Sequence, residues 1–363
     1  MKYASLLFST GLCLFSTALL VQRHTRTDAA VGHFVSSRTP PDCESAKGLE
    51  RILCLADAFK ATLSAEQIAT VQRPYAKADA VKWSNFPEFG ARPRRVGIRL
   101  GTLNEAQLKA AKALMAAAMA QNVPNEGFNE LEGNLAADEY LGKLTGKTET
   151  FNAGNYFLAF LGTPGTTGLW ELQFGGHHFA FANTYNGGKL TGMTPSFRGV
   201  EPIAPVTVDG HTYQSLGQER EAFAALLSSL TPNEQATARL SVSFRDVLLG
   251  PGRDGQFPNE KQGVKVGSLN AAQKKLVLNA IKLYVNDLDP ATVAPVLAQY
   301  TADLDNTYVA YSGSGTMSQE GDYIRIDGPR VWIEYSGQGS RDIPGTIHPH
   351  SVWRDHQTDY GGN

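Results

Sequence analysis

Gly97-Ile-Arg-Leu-Gly-Thr-Leu-Asn104-Glu-Ala-Gln107 occurs twice in this chain, the second time as Gly263-Val-Lys-Val-Gly-Ser-Leu-Asn270-Ala-Ala-Gln273. Other segments repeat in the same order, since residues 63–67 have their counterpart in 230–235 and residues 155–162 in 306–313. A chain built twice from one plan usually packs its halves about a pseudo-twofold axis, and ligand sites often lie where such halves meet. The duplication therefore predicts two pseudo-symmetric repeats, at residues 50–216 and 217–363, packed as one two-lobed body.

Both repeats are predicted to begin with helices. Four helix starts share the capping-box pattern, in which a Ser, Thr or Asn precedes a Glu or Gln by three positions. The four capping residues are Ser64, Asn104, Thr231 and Asn270. The helices after Asn104 and Asn270 have the same apolar spacing, which predicts the same buried face in both repeats. Those apolar positions are Ala111, Leu114, Met115, Ala118 and Met119, and Val277, Ala280, Ile281, Tyr284 and Val285.

Each set of helices is followed by segments typical of β-strands. The segments are rich in aromatic residues and are bounded by turns that contain Gly, Pro or Asn. The predicted strands cover residues 156–161 and 170–185 in the first repeat, and 308–311, 322–326 and 330–335 in the second. Helices followed by an antiparallel hairpin or meander in each repeat predict the α+β fold class.

Composition narrows the classes of function. With 363 residues, of which 42% are hydrophobic and 19% charged, the chain is long and apolar enough to form folded cores. The net charge of −2, without a basic stretch, argues against nucleic acid and against an anionic membrane surface as partners. The sequence contains no phosphate loop, no nucleophile elbow and no dinucleotide-binding motif.

The N-terminal residues predict export. Lys2 precedes an apolar run over residues 6–21, whose length suits a secretory signal better than a membrane span. We interpret residues 1–30 as a cleaved signal peptide, with an uncleaved signal anchor as the alternative, and residues 31–49 as a mobile N-terminal segment. The expected location is secreted or periplasmic, with no membrane contact beyond the signal segment.

Two cysteines, Cys43 and Cys54, remain after this leader, and an even number in an exported chain suggests one disulfide. On one continuous helix they would lie roughly 16 Å apart, whereas a bridge needs Cα atoms about 5.5 Å apart. The segment that contains Cys43 must therefore fold back along a helix that starts after Gly48. Two unlinked thiols are the alternative.

Five of the eight histidines fall into two clusters, each in the β part of a repeat. The first cluster is Gly175-Gly176-His177-His178, and the second is His348-Pro349-His350 with His356 nearby. The clusters occupy non-equivalent positions, because His177-His178 aligns with Pro329-Arg330 of the second repeat. This difference predicts an asymmetric site built from both repeats.

Side-chain alternation along a strand favours one histidine of the first pair. His178 is in phase with Ala180 and Ala182, whose small side chains leave room for a ligand, whereas His177 is in phase with phenylalanines of the core. We therefore predict a functional role for His178, with His177 as a second candidate. A twist or bulge at the Gly-Gly turn would let both face one site.

His348 and His350 alternate on an extended segment, so both imidazoles point one way, as two ligands of one metal often do. With His178 they predict a site for a divalent metal, either zinc, copper or non-haem iron. Glu334 is expected to be buried, with Arg330 or the metal as its partner. The alternative is that these histidines hydrogen-bond backbone carbonyls and hold loops in place.

Two groups of charged residues are open to two interpretations each. Arg198 and Glu201 predict either a salt-bridged turn or the side of the cleft that orients an anionic substrate, a role also open to Arg330. Arg354 with Asp355 and Asp359 is interpreted as an ion-paired clasp of the C-terminus rather than as catalytic machinery.

Four blocks of the sequence, taken in order, resemble a known family. They cover residues 170–180, 194–202, 323–335 and 348–355, and they are similar to the hallmark blocks of the family catalogued as domain of unknown function 3500. The resemblance implies a single domain over residues 50–361 and no particular reaction. It draws attention to one set of polar residues: His177, His178, Glu334, His348 and His350.

Two functions of different classes are compatible with the sequence. The first is an exported metal-dependent hydrolase or oxidoreductase that acts on a small or polymeric extracellular substrate. In it the metal ligands are His178, His348 and His350, and the catalytic candidates are His177, Glu334, Arg198 and Arg330. The second is a non-catalytic exported protein that binds a small ligand or has a structural role.

Overall fold

The computed structural model describes residues 43–88 and 95–363. The predicted signal segment (1–30) and the part of the predicted N-terminal segment before Cys43 lie outside these residues. Cys43 and Cys54 form a disulfide with their Cα atoms 5.7 Å apart, which confirms the predicted bridge. Within residues 43–88 and 95–363, no helix has both the length and the apolar character needed to cross a bilayer.

Helices occur in both halves of the described chain, and four of them begin at the predicted capping residues. Ser64, Asn104, Thr231 and Asn270 each accept a hydrogen bond from the backbone N–H three residues later, in a complete capping box, so this prediction is confirmed. The helices are α1 (Gly48–Ala61), α2 (Ala65–Val71), α3 (Lys77–Ala80), α4 (Glu105–Ala117), α5 (Gly127–Thr145), α6 (Gly217–Ser228), α7 (Pro232–Ala238), α8 (Ala271–Val285) and α9 (Pro290–Ala302).

Strands alternate with these helices, and the predicted first-repeat segment 170–185 is two strands joined by a turn rather than one. The strands are β1 (Gln72–Arg73), β2 (Ile98–Arg99), β3 (Phe157–Leu161), β4 (Leu169–Gly175), β5 (Phe179–Asn186), β6 (Lys189–Gly192), β7 (Ser196–Gly199), β8 (Val206–Val208), β9 (His211–Tyr213), β10 (Val264–Lys265), β11 (Tyr308–Ser312), β12 (Tyr323–Asp327), β13 (Val331–Gly339) and β14 (Ile347–Asp355).

Twelve of these strands form one mostly antiparallel sheet, and β8 and β9 form a separate hairpin. The order in the large sheet is β1-β3-β4-β5-β7-β14-β13-β12-β11-β10, with β2 on β3 and β6 on β5. Helices beside one large antiparallel sheet confirm the α+β class. The β7–β14 pair joins the strands of the two halves, and it places His350 directly opposite Gly199.

The two copies of the duplicated stretch make the same local contacts. The backbone N–H of Leu100 donates to the carbonyl of Tyr156, and that of Val266 donates to the carbonyl of Thr307, both at 2.8 Å. The side-chain amide of Gln107 donates to a helix-end carbonyl at 2.9 Å, and so does that of Gln273. The predicted apolar positions after Asn104 and Asn270 are all buried, and Ala118 and Met119 lie just beyond the end of α4.

The two faces of the sheet are covered differently. Helices α1 and α4 pack over Phe179 and Phe181, and α6, α8 and α9 pack over the matching face of β11–β13. The opposite face carries a smaller apolar cluster around Trp83 that includes Ala180 and Ala182. The prediction that these alanines leave room for a ligand is therefore wrong, because side chains fill that space.

Candidate metal centre

The three predicted metal ligands come from two places in the sheet. His178 lies in the turn between β4 and β5 with a φ of +67°, so strand alternation does not govern its direction. His348 and His350 lie two residues apart in β14, on one face of the strand. A Cβ added to Gly199 would lie 2.9 Å from the rings of both His178 and His350, so glycine is needed at this point of β7.

The ring nitrogens of the three histidines converge. Nε2 of His348 lies 2.6 Å from Nε2 of His178 and 3.0 Å from Nε2 of His350. Nitrogens bound at about 2.1 Å to one ion lie roughly 3 Å apart, so the set has the size of a metal site. A proton on one of these Nε2 atoms can form a hydrogen bond across only one of the two contacts. A single cation, by contrast, interacts favourably with the lone pairs of all three nitrogens. These residues could hold a metal.

Burial favours the uncharged form of the imidazoles. Desolvation, reinforced by the neighbouring histidines, holds the pKa of His178 well below its usual value. Desolvation also lowers the pKa of His348 to about 2, with smaller contributions from His350, His177 and the positive charge of Arg341. Neutral imidazoles offer the lone pairs that a divalent metal requires.

Carboxylates contact the far side of two of the rings. Nδ1 of His350 lies 2.9 Å from Oδ1 of Asp246, and Nδ1 of His348 lies 3.5 Å from Oε2 of Glu201. A carboxylate only accepts, so Asp246 favours a proton on Nδ1 of His350 and a free Nε2, while the side-chain amides of Gln338 and Asn85 also contact this Nδ1. Glu201 also accepts a hydrogen bond from Ser340, and burial raises the pKa of its carboxyl.

His177 belongs to a second, adjoining network. Its Nδ1 lies 2.7 Å from Oδ1 of Asp138, whose other oxygen accepts from the hydroxyl of Tyr156 at 3.0 Å. The ring of His177 lies against that of His178, with the centroids 3.4 Å apart. Asp138, His177 and His178 form a second group that could hold an ion. The pairing with Asp138 is the arrangement that orients an imidazole for proton transfer.

Helix α5 supports the site through a polar stripe. Glu130, Asn134 and Asp138 follow one another at intervals of four residues, so they share one face of the helix. Asn134 donates to the carbonyls of His178 and Gly199, at 2.9 and 3.1 Å. The helix thereby holds the histidine turn against β7 while Asp138 orients His177.

A cavity of about 670 Å³ opens beside the imidazoles. Its walls come from both halves of the chain. The first half contributes residues 85–87 and 150–151, and the second contributes residues 245–246 and the end of β13 with the following loop, residues 338–342. His177, His178, His348 and His350 all line it. The histidine site therefore lies between segments of the two predicted repeats and opens into a space large enough for a small molecule.

Three of the predicted catalytic residues lie away from this cavity. Glu334 is fully buried and accepts from the backbone N–H groups of Leu248 and Leu249 and from the side chains of Tyr323 and Trp332. The expectation that Arg330 or a metal partners Glu334 is therefore wrong. The buried charge is stabilised by four donors instead.

The two arginines have their own partners. Arg330 contacts Asp303 at 2.5 Å. Arg198 is fully buried, with its Nε 2.8 Å from Glu130 and a further ion pair to Asp287, so it does not face the histidine cavity. Arg354 donates to Asp359 at 2.8 Å, as expected for a clasp of the C-terminus.

Sequence reasoning missed Asp138 and Asp246. The polar stripe on α5 is a usable signal for Asp138, because three polar residues at four-residue spacing on a largely buried helix require partners. No comparable signal marks Asp246, which lies outside the named helices and strands and reaches His350 only through the tertiary fold.

Comparison with known proteins yields a family and no activity. The family model described as "Protein of unknown function (DUF3500)" matches residues 45–362. No curated protein matches the chain, and no solved structure matches it. The match covers nearly the whole chain. This protein therefore belongs to the family of unknown function DUF3500.

Proposed function

We propose that the protein is an exported hydrolase that depends on a divalent transition metal bound by His178, His348 and His350. The convergence of three Nε2 atoms at the wall of a cavity carries this proposal. Three neutral imidazoles with a coordination position left open are typical of catalytic zinc, although copper and iron also bind such nitrogens. When bound, such an ion polarises a substrate carbonyl or phosphoryl group and lowers the pKa of a water.

The chain's own residues supply the remaining roles. Asp246 orients the ring of His350 through its contact with Nδ1, and Glu201 faces the same atom of His348. His177, oriented by Asp138 and adjoining the cavity, is placed to take a proton from the attacking water and return it to the leaving group. Because Glu334, Arg198 and Arg330 face other partners, we assign them no catalytic role.

The twofold plan is part of the proposal. We infer that residues 50–216 and 217–363 are structural repeats whose axis passes near the β7–β14 pair. The strand order supports this, since β3-β4-β5-β7 on one side of that pair corresponds to β11-β12-β13-β14 on the other. The histidine turn then replaces the turn at Gly328-Pro329-Arg330, which explains why the site is asymmetric. The disulfide supports export, because such bonds persist mainly in oxidising compartments.

Metal binding tests the function. Protein purified without a histidine tag and reconstituted separately with Zn²⁺, Cu²⁺ and Fe²⁺ is expected to bind one ion per chain. The double variant His348→Ala with His350→Ala is expected to lose it, whereas His211→Ala, in the exposed β8–β9 hairpin, should keep it. Equal metal content in the wild type and the double variant, or none in either, would contradict the proposal and favour a ligand-binding or structural role.

A further inference from the structure

The histidine cavity continues into a second one. The neighbouring cavity, of about 840 Å³, is lined by residues 243–245, by residues 320–321 and by the end of β13 with the following loop, residues 337–341. The two cavities share four lining residues: Arg245, Gln338, Gly339 and Arg341. Two arginines therefore line both cavities.

The other lining residues carry charges of both signs. Lys147 forms an ion pair with Asp342 and Asp246 contacts His350, whereas Glu320 in the second cavity forms no ion pair within residues 43–88 and 95–363. Arg245 and Arg341 are exposed, and neither forms an ion pair or hydrogen bond with any residue in 43–88 or 95–363. Two guanidinium groups are thus available to a ligand at the junction of the cavities.

We propose that Arg245 and Arg341 form a subsite for an anionic group, a carboxylate or a phosphate, of an extended substrate. The bond of that substrate that reacts lies next to the anionic group, at the histidines. The assignment of the reacting end rests on the proposed function, whereas the anion subsite does not. Arginine is suited to this task because its planar fork of donors matches two oxygens of a carboxylate or phosphate. A subsite beyond the reacting bond also positions that bond, which is how enzymes use remote binding energy.

Binding of simple anions tests the subsite directly. Isothermal titration at low ionic strength would use a short and a long probe of each chemistry: inorganic phosphate and tripolyphosphate, and acetate and triglutamate. We expect the long probe of one pair, either the phosphates or the carboxylates, to bind at least tenfold more tightly than the short probe of that pair. The pair that shows this difference identifies the substrate's acidic group. In the double variant Arg245→Gln with Arg341→Gln, affinity for the long probe should fall at least tenfold.

Two controls separate this inference from the metal proposal. Arg253→Gln removes an exposed arginine that lines neither cavity, and it should leave binding unchanged. The double variant His348→Ala with His350→Ala should keep most of the affinity, because the arginines lie outside the histidine set. If that variant loses binding while the Arg245 and Arg341 variant keeps it, the anion binds at the metal and the subsite is refuted. Equal binding of the long and short probes, for both the phosphates and the carboxylates, refutes the subsite as well.

Discussion

Nδ1 of His350 lies 2.9 Å from Oδ1 of Asp246, while Nε2 of the same ring lies 3.0 Å from Nε2 of His348. One imidazole thus connects the histidine set to a carboxylate from a distant part of the chain. A carboxylate at this position orients the ring, and it would raise the basicity of the nitrogen that faces the proposed metal.

Asp246→Asn should therefore weaken metal binding without abolishing it. We expect the metal dissociation constant to rise about 10- to 100-fold, with one site per chain retained. Competition with a chromogenic chelator would measure it. Asp342→Asn is the matched control, because Asp342 lines the same cavity but pairs with Lys147. An unchanged dissociation constant for Asp246→Asn would show that this carboxylate does not support the site.

Asp138→Asn distinguishes the two groups that could hold an ion. With the ion at His178, His348 and His350, the variant should keep its metal, because the network partners of Asp138 among the described residues are His177 and Tyr156. The amide can donate to Nδ1 of His177, so we expect a larger share of the Nε2–H tautomer, visible in long-range ¹H–¹⁵N spectra. Loss of the metal would instead place the ion in the group that contains Asp138 and His177.

Local features of this protein can be predicted from the sequence because their causes are local. The capping boxes at Asn104 and Asn270 depend on residues three positions apart, and the buried faces of α4 and α8 depend on helical spacing. The shared direction of His348 and His350 follows from strand alternation alone. Each of these expectations requires only a few neighbouring residues.

Other features depend on where distant segments meet. The sequence suggests a cation as the partner of Glu334, but its partners include two backbone N–H groups, at Leu248 and Leu249, which no side-chain pattern reveals. Strand alternation predicts a direction for His178 only if that residue belongs to a strand. The strand begins one residue later, and the positive φ of His178 turns its ring beside that of His177. Contacts of this kind become visible only in the folded chain.

Glu219 should make the stability of the protein depend on pH. Burial, together with the negative charge of Asp287, raises the pKa of its carboxyl to about 8, although Arg198 opposes this effect. Glu126 and Glu130 lie in the same buried cluster, and burial raises the pKa of both. The folded state therefore binds the proton of Glu219 more tightly than the unfolded state does. Its contribution to stability is complete below pH 4.5 and is lost as the pH rises towards 8.

Glu219→Gln should consequently stabilise the protein at pH 8, by on the order of 4 kcal/mol, and change little at pH 4.5. Urea unfolding at both pH values measures the difference. Glu221→Gln on the same helix is the control, because the Glu221 side chain is 75% exposed. The same free-energy change at both pH values for Glu219→Gln would contradict the raised pKa.

Gly97 and Gly263 test whether the two proposed repeats share one packing. They have φ values of +99° and +105°, and an added Cβ would overlap the carbonyl oxygen of Leu158 in one copy and of Val309 in the other. Because the backbone conformation and the overlapped atom correspond, Gly97→Ala and Gly263→Ala should each lower the free energy of unfolding by about 2–4 kcal/mol.

Gly210→Ala separates backbone strain from the overlap of the added Cβ, since Gly210 has a φ of +79° but no atom within 4 Å of an added Cβ. We expect it to cost about 1 kcal/mol, the backbone strain alone. Denaturant unfolding of the three variants decides the matter, and a large loss in only one of the first two would mean that the repeats pack differently.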